Sequence, residues 1–291
     1  MTLQLTRGNP TSFPNLIAAG SPALDTTTVV CDHEDGTSKM MCQVCHQIGS
    51  QSAQLSYLIA GEDADVGELT CLLEKLVKDA GEWGAMNLTC ELESNSPFFE
   101  SFRRADFNVW ANERFWTIDK QAQNSDPTSH YWRIWTSADI KAMRVLYQNI
   151  VPRLFHSIEP LSRKSTLGMI LFNQDNALMG YADLVYGPKG IWVLPIIHPE
   201  WADDPQLLID LLVALPSKGK RPVYFCVRSY QPWLEEMLTR MDVQASQEYV
   251  LMVKYMALRQ KAESLLEKRV LENGRKENSV PVVNARHRDA L

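Results

Sequence analysis

The chain has 291 residues, 45% of them hydrophobic and 22% charged, which is enough apolar material for two modest cores and excludes a chain dominated by disorder. Its formal net charge is −6 and it has no lysine and arginine run of the kind that neutralises phosphates, so nucleic acid is not an expected partner. No apolar stretch approaches the roughly 20 residues of a membrane span, and residues 1–12 lack the basic start and apolar core of a secretory signal, so the expectation is a cytoplasmic protein with no membrane partner.

Residues 40–48 read as a strand of an antiparallel meander, followed by a strand starting at Leu55. Residues 66–80 place Leu69, Leu72, Leu73, Leu76, Val77 and Ala80 on one helical face. A strand at 86–92, a short helix from Pro97 and a strand from Val109 complete the first half. Residues 119–129 are polar, with Gln121, Gln123, Asn124, Ser125 and Pro127, and read as a linker. A helix at 139–150 then carries Ile140, Met143, Val145, Leu146 and Ile150, with Ser137 or Thr136 as its cap. Strands at 167–172, 177–186 and 191–197 form a second meander, turned by the residues 173–176 and 187–190. Residues 205–215 are helical, capped by Asp203 or Asp204; 223–227 is a buried strand, parallel to 191–197 because a crossover helix separates the two. A short helix at 232–240 and a strand at 249–256 close that sheet, and Leu258, Ala262, Leu265, Leu266 and Val270 stripe a helical tail that turns polar from Asn273.

The chain thus states one order of elements twice. The first copy has its elements starting at Leu55, Gly67, Met86, Pro97 and Val109; the second has them at Ile191, Pro205, Val223, Pro232 and Ala245. The offset of about 136 residues marks two related domains in tandem, 1–120 and 130–257, followed by a tail at 258–291.

Six cysteines without a disulfide-like spacing read as reduced thiols. Cys42, Cys45 and His46 have the spacing used for haem attachment, with Cys31 and His33 nearby. Strand alternation sends Cys42 and Cys45 to opposite faces, so neither metal nor haem is expected there.

Helix, meander, crossover helix, strand, helix and strand in this order resemble the GNAT N-acetyltransferase superfamily, and Phe99 to Phe107, reading F-E-S-F-R-R-A-D-F, is similar to that family's F-Y-E-K-x-G-F ending. The resemblance covers residues 1 to about 257 and implies an α/β (α+β) fold: two tandem GNAT-like domains, each a mixed, mostly antiparallel sheet with crossover helices. It also implies acetyl-CoA or another acyl-CoA, with its pantetheine arm between two splayed parallel strands and its pyrophosphate in a Q/R-x-x-G-x-G/A loop at the next helix start.

Neither copy has that loop. The first shows Gly61, Glu62, Asp63, Ala64, Asp65, Val66, Gly67 and Glu68; the second shows Glu200, Trp201, Ala202, Asp203, Asp204, Pro205 and Gln206. Carboxylates stand where phosphate would bind, and like unit charges about 4 Å apart repel by about 1 kcal/mol even in water. The family's N-x-x-A-x-x-(L/F)-Y tyrosine maps to Phe102 in the first copy, after Asn95, Phe98 and Ser101, and to Leu238 in the second, after Gln231, Leu234 and Met237.

In an open sheet, ligands bind beyond the carboxyl ends of parallel strands. In the second copy those ends carry His198 and Glu200 on one strand and Arg228, Ser229 and Tyr230 on the next. The sequence therefore nominates His198 or Glu200 as base, Tyr230 as acid, Arg228 as anion contact, and Ser229 and Gln231 as further cofactor contacts. The bland reading pairs Arg228 with Glu200 on the surface and makes Glu200 a solvated loop carboxylate. Glu91, Glu93 and Asn95 of the first copy read as mostly structural, and Trp201 as a possible cap on a ligand cleft. Two functions follow: N-acyl transfer to an amine, with activity in the second domain, or a non-catalytic pseudo-acetyltransferase that scaffolds or binds a small-molecule ligand.

Overall fold

The computed structural model describes residues 2–8, 24–32, 38–61, 66–118, 131–159, 161, 167–216, 219, 221–241 and 243–256. The linker expected at 119–129 and the tail from 258 onward lie outside them. The first half runs α1 (Thr2–Arg7), β1 (Leu24–Asp32), β2 (Ser38–Gln47), β3 (Ser52–Ala60), α2 (Val66–Glu82), β4 (Asn87–Glu93), α3 (Phe99–Arg104) and β5 (Asn108–Ile118). The second half runs β6 (Trp132–Ile134), α4 (Ile140–Ile150), β7 (Leu167–Phe172), β8 (Leu178–Tyr186), β9 (Ile191–Ile197), α5 (Gln206–Ala214), β10 (Val223–Arg228), α6 (Pro232–Arg240), β11 (Gln244–Ala245) and β12 (Tyr249–Tyr255).

All the described strands lie in one 12-stranded sheet of order β1-β2-β3-β4-β12-β5-β10-β9-β8-β7-β6, with β11 on β5. Among the described residues β3 with β4 and β9 with β10 pair in parallel, and each pair is joined through its crossover helix. The other ladders are antiparallel.

The halves exchange their last strands. β12 does not close the second half's own sheet, as its sequence position suggests; it pairs with β4 from Tyr249↔Glu93 to Tyr255↔Asn87. β5 likewise pairs with β10 from Val223↔Ile118 to Arg228↔Glu113, and β5 and β12 pair with each other. Separate sheets would each leave an unpaired strand edge in the middle of the molecule, and the exchange removes both edges.

One face of the sheet carries two cores. α2 lays Leu69, Leu73, Leu76 and Ala80 on Leu88, Cys90, Phe102 and Phe107, together with Val250 and Met252 of β12. α5 and α6 lay Leu207, Leu208, Leu211, Leu212, Leu234 and Met237 on Val193, Val223, Phe225 and Val227. On the opposite face α4 packs Met143, Leu146 and Tyr147 against Ile170, Tyr181, Ile196 and Leu251. Val145, expected on the α4 stripe, is 59% exposed, because the face that packs passes through Leu146 and Tyr147. Cys42 and Val44 point into the first core while Cys45 faces the other way, in contact with the Thr26 hydroxyl.

The start of α4 rests on a capping box. Asp139 Oδ2 accepts from the Thr136 backbone N–H at 2.7 Å and from its hydroxyl at 2.8 Å, and the Arg133 fork donates to both carboxylate oxygens at 2.6 and 2.8 Å. The Arg133 hydrogen bonds hold the Asp139 carboxyl far below the usual carboxylate range. A depressed folded-state pKa stabilises above the unfolded value of about 4 and loses that contribution as pH falls. Asp139→Ala is therefore expected to cost about 1 kcal/mol at neutral pH. In urea titrations the gap between variant and wild type should shrink as pH is lowered below about 4; a gap independent of pH would contradict this role.

Candidate active site

The second half's nominated residues are placed as follows. His198 opens a short 3-10 turn, where its Nδ1 accepts from the Glu200 backbone N–H at 3.4 Å and lies 3.6 Å from the Glu200 carboxylate. Arg228 is 1% exposed and donates to Glu113 of β5 and to Glu159 at 2.6 Å; it pairs with neither Glu200 nor solvent. Tyr230 packs edge-on to Phe155, and burial, reinforced by the Glu159 charge, raises its phenol well above the ordinary value. Ser229 is exposed and its N–H donates to the Asn112 carbonyl. No hydrogen bond or ion pair among the described residues joins His198 or Glu200 to Arg228 or Tyr230.

Gln231 decides what this end of the sheet offers. β9 and β10 pair only from Ile191↔Val223 to Val193↔Phe225 and then part. The fully buried Gln231 side chain spans the opening, accepting from the Ile197 N–H at 3.2 Å and donating to the Pro195 carbonyl at 2.9 Å. Trp233 Nε1 takes the Ile197 carbonyl. An amide side chain thus satisfies the backbone groups that a ligand amide would otherwise meet. Gln231 and Arg228, nominated as cofactor contacts, make these bonds inside the fold.

In the first half no described side chain bridges the corresponding opening in this way. β3 and β4 pair from Ser52↔Asn87 to Gln54↔Thr89 and then diverge. Between Gln43↔Tyr57 and Val44↔Leu55 the β2–β3 ladder skips Ser56, a β-bulge. Its trace is a break in alternation: Ala53 and Leu55 face the first core, and so do Leu58 and Ala60. Beside the bulge a cleft of about 200 Å³ opens between the strands, lined by Leu55, Ser56, Tyr57 and Leu58 on β3, Glu91 and Glu93 on β4, Phe98 and Phe102 near α3, and Tyr249 of β12. Ser56 is 4% exposed and its hydroxyl has no hydrogen-bond partner among the described residues. A buried hydroxyl without a hydrogen bond costs about 1–3 kcal/mol, so its position on the wall points to a polar ligand group.

Phe102, which the sequence maps to the tyrosine position of the resembled family, lines the cleft, and a phenol, that of Tyr249, reaches it from the exchanged strand. The Tyr249 hydroxyl donates to Glu93 Oε1 at 3.3 Å, and burial, aided by the carboxylates beside it, raises its pKa and keeps it protonated. Tyr249 was invisible to motif spacing, because it stands far along the chain from the helix that carries Phe102. α1 closes in from the other side: Gln4 lines the cleft, and the Tyr57 hydroxyl donates to the Gly8 carbonyl at 3.1 Å. α1 seats on the β8–β9 turn, where Lys189 N–H donates to the Thr6 carbonyl and a Cβ on Gly187 would lie 2.1 Å from that oxygen.

No protein-family model and no curated protein sequence matches the chain. Solved structures do match. A GCN5-related N-acetyltransferase from Sphaerobacter thermophilus aligns over 78% of this chain and 80% of its own with a TM-score of 0.52 at 14% identity. A GCN5-related N-acetyltransferase from Kribbella flavida aligns over 79% and 90% with a TM-score of 0.50 at 11% identity. The fold is that of the GNAT N-acetyltransferases. A conserved protein of unknown function from Staphylococcus epidermidis shares it, over 70% of this chain and 84% of its own, with a TM-score of 0.50 at 12% identity. Among the described residues, the diverging parallel pair that borders the cleft is β3 with β4.

For a neutral, amide-bearing arm such as that of an acyl-CoA, the cleft would offer one buried hydroxyl without a partner among the described residues and strand backbone beyond the last paired residues. The phosphate end is less suited, because Glu68 stands in the first turn of α2 and Glu62, Asp63 and Asp65 precede it in sequence.

Proposed function

We propose that the protein is an acyl-CoA-dependent N-acyltransferase whose site is the β3–β4 cleft of the first half, with the second half as a non-catalytic support. The observation that carries this reading is the Ser56 bulge beside an open cleft, set against the Gln231 bridge in the second half. When bound, an acyl-CoA would supply the acyl group as a thioester and leave with a proton on its sulfur. Ser56 and the strand backbone beyond the last paired residues would hold its neutral arm. Glu93 takes the proton of the attacking amine as the carbon–nitrogen bond forms and the carbon–sulfur bond breaks. Tyr249 gives its hydroxyl proton to the departing sulfur and regains one from Glu93, so that thioester and amine become amide and thiol. Six unpaired cysteines support a reducing, cytoplasmic setting, and no helix among the described residues is long and apolar enough to cross a membrane.

Phe102 at the family's tyrosine position favours a second reading, ligand binding without catalysis. One experiment separates the two. Acetyl-CoA and CoA should raise the melting temperature, since a ligand at a hundred times its Kd adds ~2.7 kcal/mol. Tyr249→Phe should keep that shift while acyl transfer to an amine panel falls about a hundredfold. A shift without any transfer by wild type would select the binding reading, and no shift would contradict both.

A further inference from the structure

α1 belongs to the first half by sequence and rests on the second half by contact. The Lys189 N–H donates to the Thr6 carbonyl at 2.9 Å, and Thr6 is fully buried. The β8–β9 turn has glycines where α1 lies on it: a Cβ on Gly187 would collide with the Thr6 backbone, and one on Gly190 would stand 2.9 Å from the Leu5 carbonyl. From that seat α1 reaches the cleft in three ways. Gln4 lines its wall, the Tyr57 hydroxyl donates to the Gly8 carbonyl at 3.1 Å, and Leu5 packs on the cluster of Phe115, Trp192, Leu194, Cys226 and Tyr249. α1 has six residues, whereas an isolated helix is marginal in water below about 12, so its helical form depends on these contacts. Short elements that depend on tertiary contact open locally at low cost, and lids over ligands are drawn from them.

We propose that α1 is a strap over the β3–β4 cleft, seated by the second half, which closes behind a bound ligand and slows its release; that the ligand is an acyl-CoA rests on the acyl-transfer reading of this cleft. The ligand enters with α1 lifted. Gln4 and the Tyr57–Gly8 clasp complete the wall when Thr6 returns to its seat at Gly187. The second half thus acts on the first half's site twice, through the strand that carries Tyr249 and through the turn that seats α1.

The test uses Gly187→Ala, Tyr57→Phe and their combination in the full chain, with Lys189→Ala, which keeps the backbone N–H, as control. Gly187 has no positive φ, so alanine acts there through its collision with Thr6. Each of the two single variants should speed acetyl-CoA release about tenfold in stopped-flow measurements while association changes less. Because both act through α1, the double variant should release no faster than the faster single one. In the ligand-free protein Gly187→Ala should raise backbone hydrogen exchange in residues 2–8 and also in Ser52–Ala60 of the other half. Unchanged or slower release from Gly187→Ala, additive effects in the double variant, or unaltered exchange in residues 2–8 would overturn the inference. Wild type that fails to bind acetyl-CoA contradicts the acyl-CoA reading alone; the strap then stands if the raised exchange spreads to Ser52–Ala60 and falls if it does not.

Discussion

A chain ending at Val243, before β11 and β12, should show no cooperative unfolding transition. β12 is the strand between β4 and β5, so its loss opens two ladders in the centre of the sheet. It also takes Val250 and Met252 out of the first half's core and Leu251 out of the core under α4. Each such side chain stabilises by about 1.5–3 kcal/mol when fully buried. Their sum, with the unpaired backbone, is comparable with the whole 5–15 kcal/mol stability of an ordinary domain. A chain ending at Met256 keeps every described strand and serves as the control. Far-UV circular dichroism during heating distinguishes the outcomes, and a Val243-terminated protein melting like the control would contradict the strand exchange.

Arg228→Ala should be the most damaging single substitution in the second half, at about 3–5 kcal/mol, because it leaves the buried Glu113 and the mostly buried Glu159 without their cation. The same ion pair links β10 to β5, so the damage should reach both halves in one transition. Urea denaturation measures it. Arg228→Met combined with Glu113→Gln should recover much of the loss, since removing both charges is far cheaper than removing one. A loss below about 1 kcal/mol for Arg228→Ala would mean that the pair is effectively solvated.

The sequence carries the elements of this fold better than their neighbours. The stripe from Leu69 to Ala80 names the buried face of α2 correctly, residue by residue, because helical periodicity depends only on local geometry. The apolar run of β12 says that the strand is buried and nothing about which strand lies alongside, so the exchange with β5 was not legible. Arg228 shows the consequence. A polar residue at a strand end looks like a ligand contact until the strand carrying Glu113 is known to be its neighbour. Tyr249 is missed for the same reason. The bulge at Ser56, by contrast, leaves a local sign in the three-residue step from Leu55 to Leu58 inside a strand, where alternation would require two or four.

Backbone hydrogen exchange with and without acetyl-CoA tests most directly which half holds the ligand. Slowed exchange in peptides covering Ser52–Ala60 and Asn87–Glu93, with Ile191–Ile197 and Val223–Arg228 unchanged, is the result expected from an open first cleft and a second one bridged by Gln231. Slowed exchange confined to the second pair of strands, or no change in either pair at saturating ligand, would contradict it.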